Sequence, residues 1–437
     1  MLKKFQKNLD KKFPYLSQKK ILIACSGGLD SSVLAHLFKK SDLKFSLAHC
    51  NFSLRAKESD KDETFVKNLG SFLNCTVYTT KFKTTEYADK NGLSIQMAAR
   101  ELRYKWFEEI SEKHKLDYTL TAHHKDDVLE TILINFTRGT GLDGLIGIPE
   151  VNGNVVRPLL RFTREEIQEY AEKNKIPWRE DESNSSTKYF RNKIRHQIVP
   201  VLKELNPNFF KSFDNTLNNL KDSQKLVSER IKNLAEKLVI EKEKGIYSIS
   251  VNRILDLENV RSSMYEILKP FGFTNWKDIN SILKAQSGKQ LISKTHRLLK
   301  NRNELIISEI QNSTGKTYEI SNTTNSIKKP IPLTFTDVQS TGEFTINTSY
   351  IDKEKLNNKL TVRKWHKGDY FYPIGMHGKK KLSNFFKDSK MSLLEKEATW
   401  LLCDGDAIVW VIGNRMDDRY KITKKTTAIL KVELIIQ

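Results

Sequence analysis

An apolar run, Ile21-Leu22-Ile23-Ala24-Cys25, ends abruptly in Ser26-Gly27-Gly28-Leu29-Asp30-Ser31-Ser32 and passes into a helical pattern carrying Val33, Leu34, Ala35, Leu37 and Phe38. A buried strand that turns through two glycines into a helix can fold in few ways. The glycines let the backbone curl so that successive N–H groups and the helix N-terminus converge on an anion, and Ser26, Ser31 and Ser32 add hydroxyl donors. The loop reads as a phosphate cradle, although a Gly-Gly turn capped by Asp and Ser would serve structure alone. It is not a Walker A loop, because Gly-Lys-Ser/Thr is missing. Asp30 would repel a phosphate unless a cation such as Mg²⁺ lay between them, so Asp30 is the candidate metal ligand.

The pattern continues as strand and helix in alternation. Phe45–His49 reads as a second strand, followed by a helix from about Glu58 to Leu73, with further strands at Thr76–Tyr78 and Tyr118–Thr121. Strands separated by helices imply an α/β fold with a doubly wound parallel sheet. Thr163-Arg-Glu-Glu166 reads as a capping box opening a helix with Ile167, Tyr170 and Ala171 on one face. After Pro207 the pattern becomes one long helix, with Phe213, Leu217, Leu220, Val227, Ile231, Leu234 and Leu238 in its stripe, which could serve a homodimer interface as readily as an internal core. A short strand at Tyr247–Val251, two helical stretches ending near Gly288 and a hairpin through Asn301-Arg302-Asn303 follow. Gln311 to Pro332 is rich in Ser, Thr and Asn and reads as a linker, and strand-like runs at Leu360–Arg363, Ala407–Ile412 and Ala428–Ile436 predict a small, mainly β final domain. The expected division is therefore 1–206, a mixed, mostly helical 207–310, a linker at 311–332 and 333–437.

Lys plus Arg is 74 against 53 Asp plus Glu in 437 residues, a net charge of +21. Solubility needs far less, so a polyanionic partner such as nucleic acid is expected, with a lysine-rich composition bias as the plainer alternative. No uncharged apolar run approaches the ~18 residues of a membrane span, and no apolar core or cleavage site follows the basic N-terminus, which predicts a cytoplasmic protein without membrane association. The four cysteines, Cys25, Cys50, Cys75 and Cys403, are far apart with no Cys-x-x-Cys, which excludes a disulfide framework, a zinc knuckle or a local iron–sulfur ligand set.

A second polar cluster, Thr121-Ala-His123-His124-Lys-Asp126-Asp127-Val-Leu-Glu130-Thr131, lies where a strand end runs into a helix. Its side chains should collect at the carboxyl edge of the sheet, beside the cradle. Asp126 and Glu130 are four apart and share a helix face. The plainer alternative is that Asp126 and Asp127 cap the helix and complement its dipole. Arg138-Gly-Thr-Gly141 could hold an anion or end the helix.

Ser26-Gly-Gly-x-Asp30-Ser31 resembles the signature of the PP-loop ATP pyrophosphatases, which implies cleavage of ATP between its α and β phosphates, with Ser26, Gly27, Gly28, Leu29, Asp30, Ser31, Ser32 and His49 at the nucleotide. Taken with Ala48-His49-Cys50-Asn51-Phe52-Ser53-Leu54-Arg55, Ala99-Arg100-Glu-Leu-Arg103-Tyr104, the His-His-x-Asp-Asp-x-x-Glu-Thr run at 123–131, Arg157-Pro158-Leu159-Leu160, Asp181-Glu-Ser183-Asn184 and Arg191-Asn192-Lys-Ile194-Arg195, the chain resembles the tRNA(Ile)-lysidine synthetase family. The likeness is dense from Ser26 to about Leu202 and looser from Arg363 to Arg419. Phe52 and Ser53 depart from it, standing where His and Gly are common, so no imidazole role is expected there.

That resemblance implies replacement of the C2 oxygen of the wobble cytidine, in a CAU-anticodon isoleucine tRNA, by the ε-nitrogen of free lysine. The oxygen first attacks the α-phosphorus of ATP, and the AMP ester then leaves as lysine attacks. Lysine is the harder reactant: at a reference pKa near 10.4 only about one amine in 2,500 is neutral at pH 7, a deficit of roughly 4.6 kcal/mol. A carboxylate must hold the ammonium and accept a proton, and Asp126 and Asp127 are the candidates, with Glu130 as a substitute and Asp30 reserved for Mg²⁺. Arg100 and Arg103, three apart on one helix, could fork the α-phosphate, or form a solvated helix face. Lys188 to Lys203 carries Arg191, Lys193 and Arg195 with no acid, beside Tyr189 and Phe190 that could stack on a splayed base. Lys359 to Lys381, including Arg363, Lys379, Lys380 and Lys381, carries seven basic residues against one Asp, among Trp365, Tyr370, Phe371 and Tyr372. Both stretches read as tRNA contacts. Two other readings remain: a PP-loop tRNA sulfur transferase, for which Cys25 is the one placed cysteine, and a non-catalytic RNA-binding protein.

Overall fold

Ile21–Ala24 carries no polar side chain, and the fold buries it between layers of helices on both sides. The computed structural model describes residues 1–55, 57–180, 190–310, 316–321, 324–376 and 378–435. The chain divides into two compact units, Met1–Ser228 and Glu229–Gln437.

The first unit runs α1 (Leu2–Lys12), β1 (Ile21–Ala24), α2 (Leu29–Lys40), β2 (Phe45–Asn51), α3 (Lys57–Leu73), β3 (Val77–Lys81), α4 (Thr84–Asn91), α5 (Ile95–His114), β4 (Tyr118–Leu120), α6 (Lys125–Thr137) and α7 (Leu142–Leu145). A hairpin of β5 (Val151–Asn152) and β6 (Val155–Val156) leads to α8 (Arg164–Lys173), and α9 (Phe190–Lys193), a π turn (Ile194–Ile198) and α10 (Val199–Leu205) precede the long α11 (Phe209–Leu238). The strand order is β3-β2-β1-β4-β6-β5. Ile21 pairs in parallel with Phe45 on one side and with Tyr118 on the other. The expected doubly wound parallel sheet is present, with one addition: β5 pairs antiparallel with β6 at the edge.

This order matters for function. The chain leaves β1 toward β2 and β3, then returns to the other side of β1 as β4, so a crevice opens at the carboxyl ends of β1 and β4, where α/β sheets bind ligands. The strand period of two decides which helices cover which face. Ile21 and Ile23 pack with Leu37, Phe38, Val66 and Leu69, while Leu22 packs on the opposite face with Phe107 and Ile110. The capping box at α8 forms as expected: the Glu166 N–H donates to Thr163 Oγ1 at 3.2 Å and the Thr163 N–H to Glu166 Oε2 at 2.9 Å.

In the second unit β7 (Val239–Glu243) and β8 (Ile246–Ser250) precede three helices, α12 (Val251–Leu255), α13 (Val260–Leu268) and α14 (Trp276–Lys284), where the pattern had suggested two. With β9 (Gln290–Ile292), β10 (His296–Asn301) and β11 (Glu304–Glu309) they build a five-stranded antiparallel sheet ordered β7-β8-β11-β10-β9. The β10–β11 hairpin turns at Arg302, with φ of 51°. Next come β12 (Tyr318–Glu319), β13 (Ser326–Ile327), β14 (Leu333–Val338), β15 (Thr348–Asp352), β16 (Leu360–Lys364), β17 (Tyr370–Phe371), β18 (Lys380–Lys381), α15 (Leu382–Asp388), α16 (Leu393–Ala398), β19 (Trp400–Asp404), β20 (Ala407–Val411) and β21 (Ile429–Leu434). They form sheets β12-β16-β19-β20 and β13-β14-β21-β15, which share a core around Trp410, and the pair β17-β18. The final region is mainly β, as its strand-like runs predict. The Ser/Thr/Asn-rich stretch is not only a tether, since β12 and β13 lie in it and pair with β16 and β14. Among the described residues no helix is long and apolar enough to cross a membrane.

Gly70 shows how closely α3 seats on the sheet. A Cβ there would lie 2.0 Å from Val77 Cγ2 and 3.3 Å from the Cys75 carbonyl. Gly70→Ala should destabilise the protein by about 1–3 kcal/mol through overpacking, read as a lower thermal midpoint with the secondary structure retained.

Candidate active site

The Ser-Gly-Gly loop joins β1 to α2 and is braced from several directions. Gly27 has φ of 88°, and a Cβ there would lie 3.2 Å from the Phe65 ring, so both conformation and space favour glycine. Ser31 Oγ donates to the Gly28 carbonyl at 3.0 Å, Ser32 Oγ to the Gly27 carbonyl at 3.4 Å, and the Gly28 N–H donates to Ser26 Oγ at 3.3 Å. Ser31 and Ser32 are buried. Their hydroxyls brace the curl of the loop; Leu29 opens α2 behind Gly28 and is buried in the core.

His49, at the end of β2, is also a support. It is buried, and its Nδ1 lies 2.9 Å from the Cys25 carbonyl, which can only accept, so Nδ1 carries the proton. Burial lowers its pKa. The Arg179 N–H donates to the Gly27 carbonyl, while its side chain is clasped by Asp62 at 2.5 Å and Glu58 at 2.7 Å from α3. Cys25 is buried and its thiol is pushed up by burial, opposite to what a nucleophilic thiolate needs.

The second cluster meets the loop at His124. This side chain is 2% exposed and stands among three carboxylates: Nε2 is 3.8 Å from Asp30 Oδ2 and 3.5 Å from Asp127 Oδ2, and Nδ1 is 3.6 Å from Asp126 Oδ2. Burial works against protonating His124, but Asp127, Asp126 and Asp30 outweigh it and raise its pKa. His123 points elsewhere, bonded to Thr121 Oγ1 at 2.8 Å, and burial drops its pKa to about 4. Adjacent histidines are thus shifted in opposite directions.

Arg164, at the start of α8, ties the two halves together. Its guanidinium donates to Asp30 Oδ2 at 2.9 Å and its backbone N–H to Asp126 Oδ2 at 2.9 Å. Asp126 Oδ1 faces Lys203 Nζ at 3.4 Å. Burial raises the Asp126 carboxyl, but His124, the Arg164 N–H and Lys203 prevail and hold it at about 2. Asp127 is lowered as well, by the two histidines and Arg191 against burial. Asp30 Oδ1 is buried without a hydrogen bond, an open oxygen suited to a hard cation.

Glu130 is the most enclosed acid of this cluster, 1% exposed, and both oxygens are taken: Arg195 Nε is 2.5 Å from Oε1, and Arg191 Nε is 2.8 Å from Oε2. Arg195 also reaches Asp127 Oδ1 at 3.3 Å. Arg191 and Arg195, expected as tRNA contacts, thus also pair with buried acids, and both oxygens of Glu130, the substitute candidate for the lysine ammonium, are engaged. Lys193 between them is exposed. Phe190 is 48% exposed and open to stacking; Lys188, Tyr189 and the Asp181-Glu-Ser183-Asn184 motif lie outside the described residues.

Arg100 and Arg103 are exposed on α5 and held by aromatic rings. Arg100 Cζ is 4.9 Å from the Tyr104 ring centre and Arg103 Cζ 5.2 Å from that of Phe52. In the second unit Arg363, expected as a tRNA contact, is bound in a fork to Asp369 at 2.8 and 3.0 Å, a half-buried pair. Lys379 Nζ lies 3.4 Å over the Tyr370 ring, Lys380 pairs with Asp388 at 2.7 Å, and Lys381 is exposed. Sequence reasoning missed His124, Arg164, Arg179 and Lys203 as members of the site. The paired histidines were visible, but nothing local to Arg164 or Lys203 signals a carboxylate 38 or 77 residues away.

Three family models match: the PP-loop domain over residues 1–202, the TilS substrate binding domain over 241–310 and the TilS substrate C-terminal domain over 360–434. The tRNA(Ile)-lysidine synthase of Parabacteroides distasonis is 38% identical over 431 residues, 97% of this chain and 98% of its own length. That of Bacteroides thetaiotaomicron is 37% identical over 433 residues, 98% of each chain. That of Porphyromonas gingivalis is 34% identical over 420 residues, 92% of this chain and 91% of its own.

Two tests follow from the charge arrangement. Asp126, held at about 2, contributes stability that is present above its unfolded value near 3.8 and lost as pH falls through about 2, roughly 2 kcal/mol in all; Asp126→Asn should flatten the acid limb of a thermal-midpoint titration in that window. Glu130→Gln leaves two partly exposed guanidiniums short of their buried counter-charge and should cost about 1–3 kcal/mol, measured by chemical denaturation.

Proposed function

The chain belongs to the tRNA(Ile)-lysidine synthase family, and on that footing we propose how its own residues divide the work of making lysidine. The enzyme is a ligase that uses ATP to activate C2 of the wobble cytidine in the CAU anticodon of isoleucine tRNA. The cytidine oxygen displaces pyrophosphate from the α-phosphorus; the lysine ε-nitrogen then bonds to C2, AMP departs with that oxygen, and the amine loses a proton.

The observation that carries the assignment of roles is the meeting of Asp30, Asp126 and Asp127 around His124 at the mouth of the Ser-Gly-Gly loop. The loop backbone and the N-terminus of α2 would take the ATP phosphates, held in shape by Ser31, Ser32 and His49. Mg²⁺ fits at Asp30, whose Oδ1 is buried and unpaired, and the ion would offset the phosphate charge there. Arg100 and Arg103, exposed and oriented on aromatic rings, would meet charge developing on the α-phosphate. Asp126 and Asp127 would hold the lysine ammonium, and Lys203 already presents an ammonium to Asp126 at 3.4 Å. A carboxyl held at about 2 is a strong anchor and a poor proton acceptor, so Asp126 would orient the amine while its proton passes elsewhere.

The second unit would grip the tRNA, with Lys379 and Lys381 beside the exposed Tyr370 as phosphate and base contacts. We assign 1–206 to catalysis, 207–310 and 333–437 to tRNA binding and 311–332 to the connection between them. A cytoplasmic location follows from the tRNA substrate. Exposed Leu226 and Val227 on α11 support pairing of two copies.

Incubated with ATP and Mg²⁺, the protein should incorporate labelled lysine into an unmodified isoleucine tRNA transcript bearing CAU, and not into the methionine tRNA with the same anticodon. Asp30→Ala should reduce incorporation by roughly a hundredfold or more. Pyrophosphate release without label would move the acceptor elsewhere, and no signal from folded protein would favour a binding role.

A further inference from the structure

Arg157 directly follows β6, at the same carboxyl edge of the sheet as the Ser-Gly-Gly loop and the His123-His124 turn. It is 6% exposed. One guanidinium nitrogen donates to the Pro149 carbonyl at 2.9 Å, the hydroxyl of Tyr104 is its other polar neighbour, and Nε is buried without a partner. Among the described residues no carboxylate faces it. The charged group that acts on it is a second cation, Arg100, whose guanidinium lies on the face of the same Tyr104 ring. Burial first, and then Arg100, lower its pKa.

This is unlike the other enclosed arginines. Arg195 has Glu130 and Asp127, and Arg363 has Asp369. A buried guanidinium without a counter-charge is costly, and two cations sharing one tyrosine repel each other. An oxyanion between them relieves both, and the planar fork of arginine matches carboxylate and phosphate alike. Arg100 is exposed, which leaves the site open from its side. Arg157 also acts electrostatically on His123, three residues past the end of β4, which puts it near the reacting groups.

We infer that Arg157, with Tyr104 and Arg100, forms an oxyanion site that receives an anionic group of a small substrate, either the α-carboxylate of lysine or a phosphate of ATP. The inference rests on the lysidine-forming reading and adds a binding residue to it. Steady-state kinetics of the full-length enzyme and Arg157→Met, with lysine, lysinamide and ATP varied in turn, tests it. If the carboxylate is the ligand, KM for lysine rises about tenfold or more, KM for ATP stays put, and the preference for lysine over lysinamide collapses. If the ligand is a phosphate, KM for ATP rises by a similar factor and the lysine-to-lysinamide preference is retained. Both KM values within twofold of wild type, with any loss confined to kcat or thermal stability, would overturn the site and leave Arg157 as a brace for Pro149. Should Arg157→Met fail to fold, Tyr104→Phe, which keeps the ring under Arg100 and removes only the hydroxyl, is read by the same split. If wild-type protein incorporates no lysine, the lysidine reading fails by itself, and calorimetric titration of wild type and variant with ATP and with lysine decides whether the oxyanion site exists.

Discussion

Four acids, Asp30, Asp126, Asp127 and Glu130, converge at one edge of the sheet, and the catalytic unit depends on their neutralisation. Unpaired carboxylates at this spacing would repel and take up protons. Here a largely buried imidazole stands within 3.8 Å of three of them, Arg164 bonds two, and Arg191 and Arg195 close over Glu130. The groups come from α2, α6, α8 and the 190s segment, so the same interactions that ionise the acids also fasten these elements to the sheet. Removing one partner strands charge on several elements at once, which is why a buried cluster of this kind is costly to break.

The phosphate cradle is prepared in the same way. Its serines spend their hydroxyls on the loop's own carbonyls, His49 supports it from β2, and Arg179 anchors it to α3. The backbone N–H groups are thereby aimed before any anion arrives, which reduces the reorganisation needed at the moment of reaction. Two kinds of arginine result. Arg191, Arg195 and Arg363 are bound to acids, whereas Arg100, Arg103 and Arg157 are held by aromatic rings or a carbonyl.

Legibility differed by the range of the interaction involved. The alternation of strands and helices, the capping box at Thr163 and the β10–β11 hairpin follow from contacts within a few residues, and they were readable. The third helix before Gly288 and the two short strands at Tyr318–Glu319 and Ser326–Ile327 were not, because strands of two residues have no periodicity of their own and form only where β16 and β14 offer edges. The acidic partners of Arg191, Arg195 and Arg363 were not legible for a related reason. A run of basic residues without nearby acids in sequence looks solvated, yet Glu130 lies 61 and 65 residues away from the first two.

The amino-acid sequence by itself determined the α/β class, the phosphate loop, the identity of the acids at residues 126, 127 and 130, and the family, since each rests on local pattern or on ordered motifs. Only the tertiary structure decided which cations face those acids, in which direction each histidine shifts and which arginines, among the described residues, face no acid. Those properties are sums of burial and of Coulomb interactions with groups far off in the chain, and no local spacing encodes them.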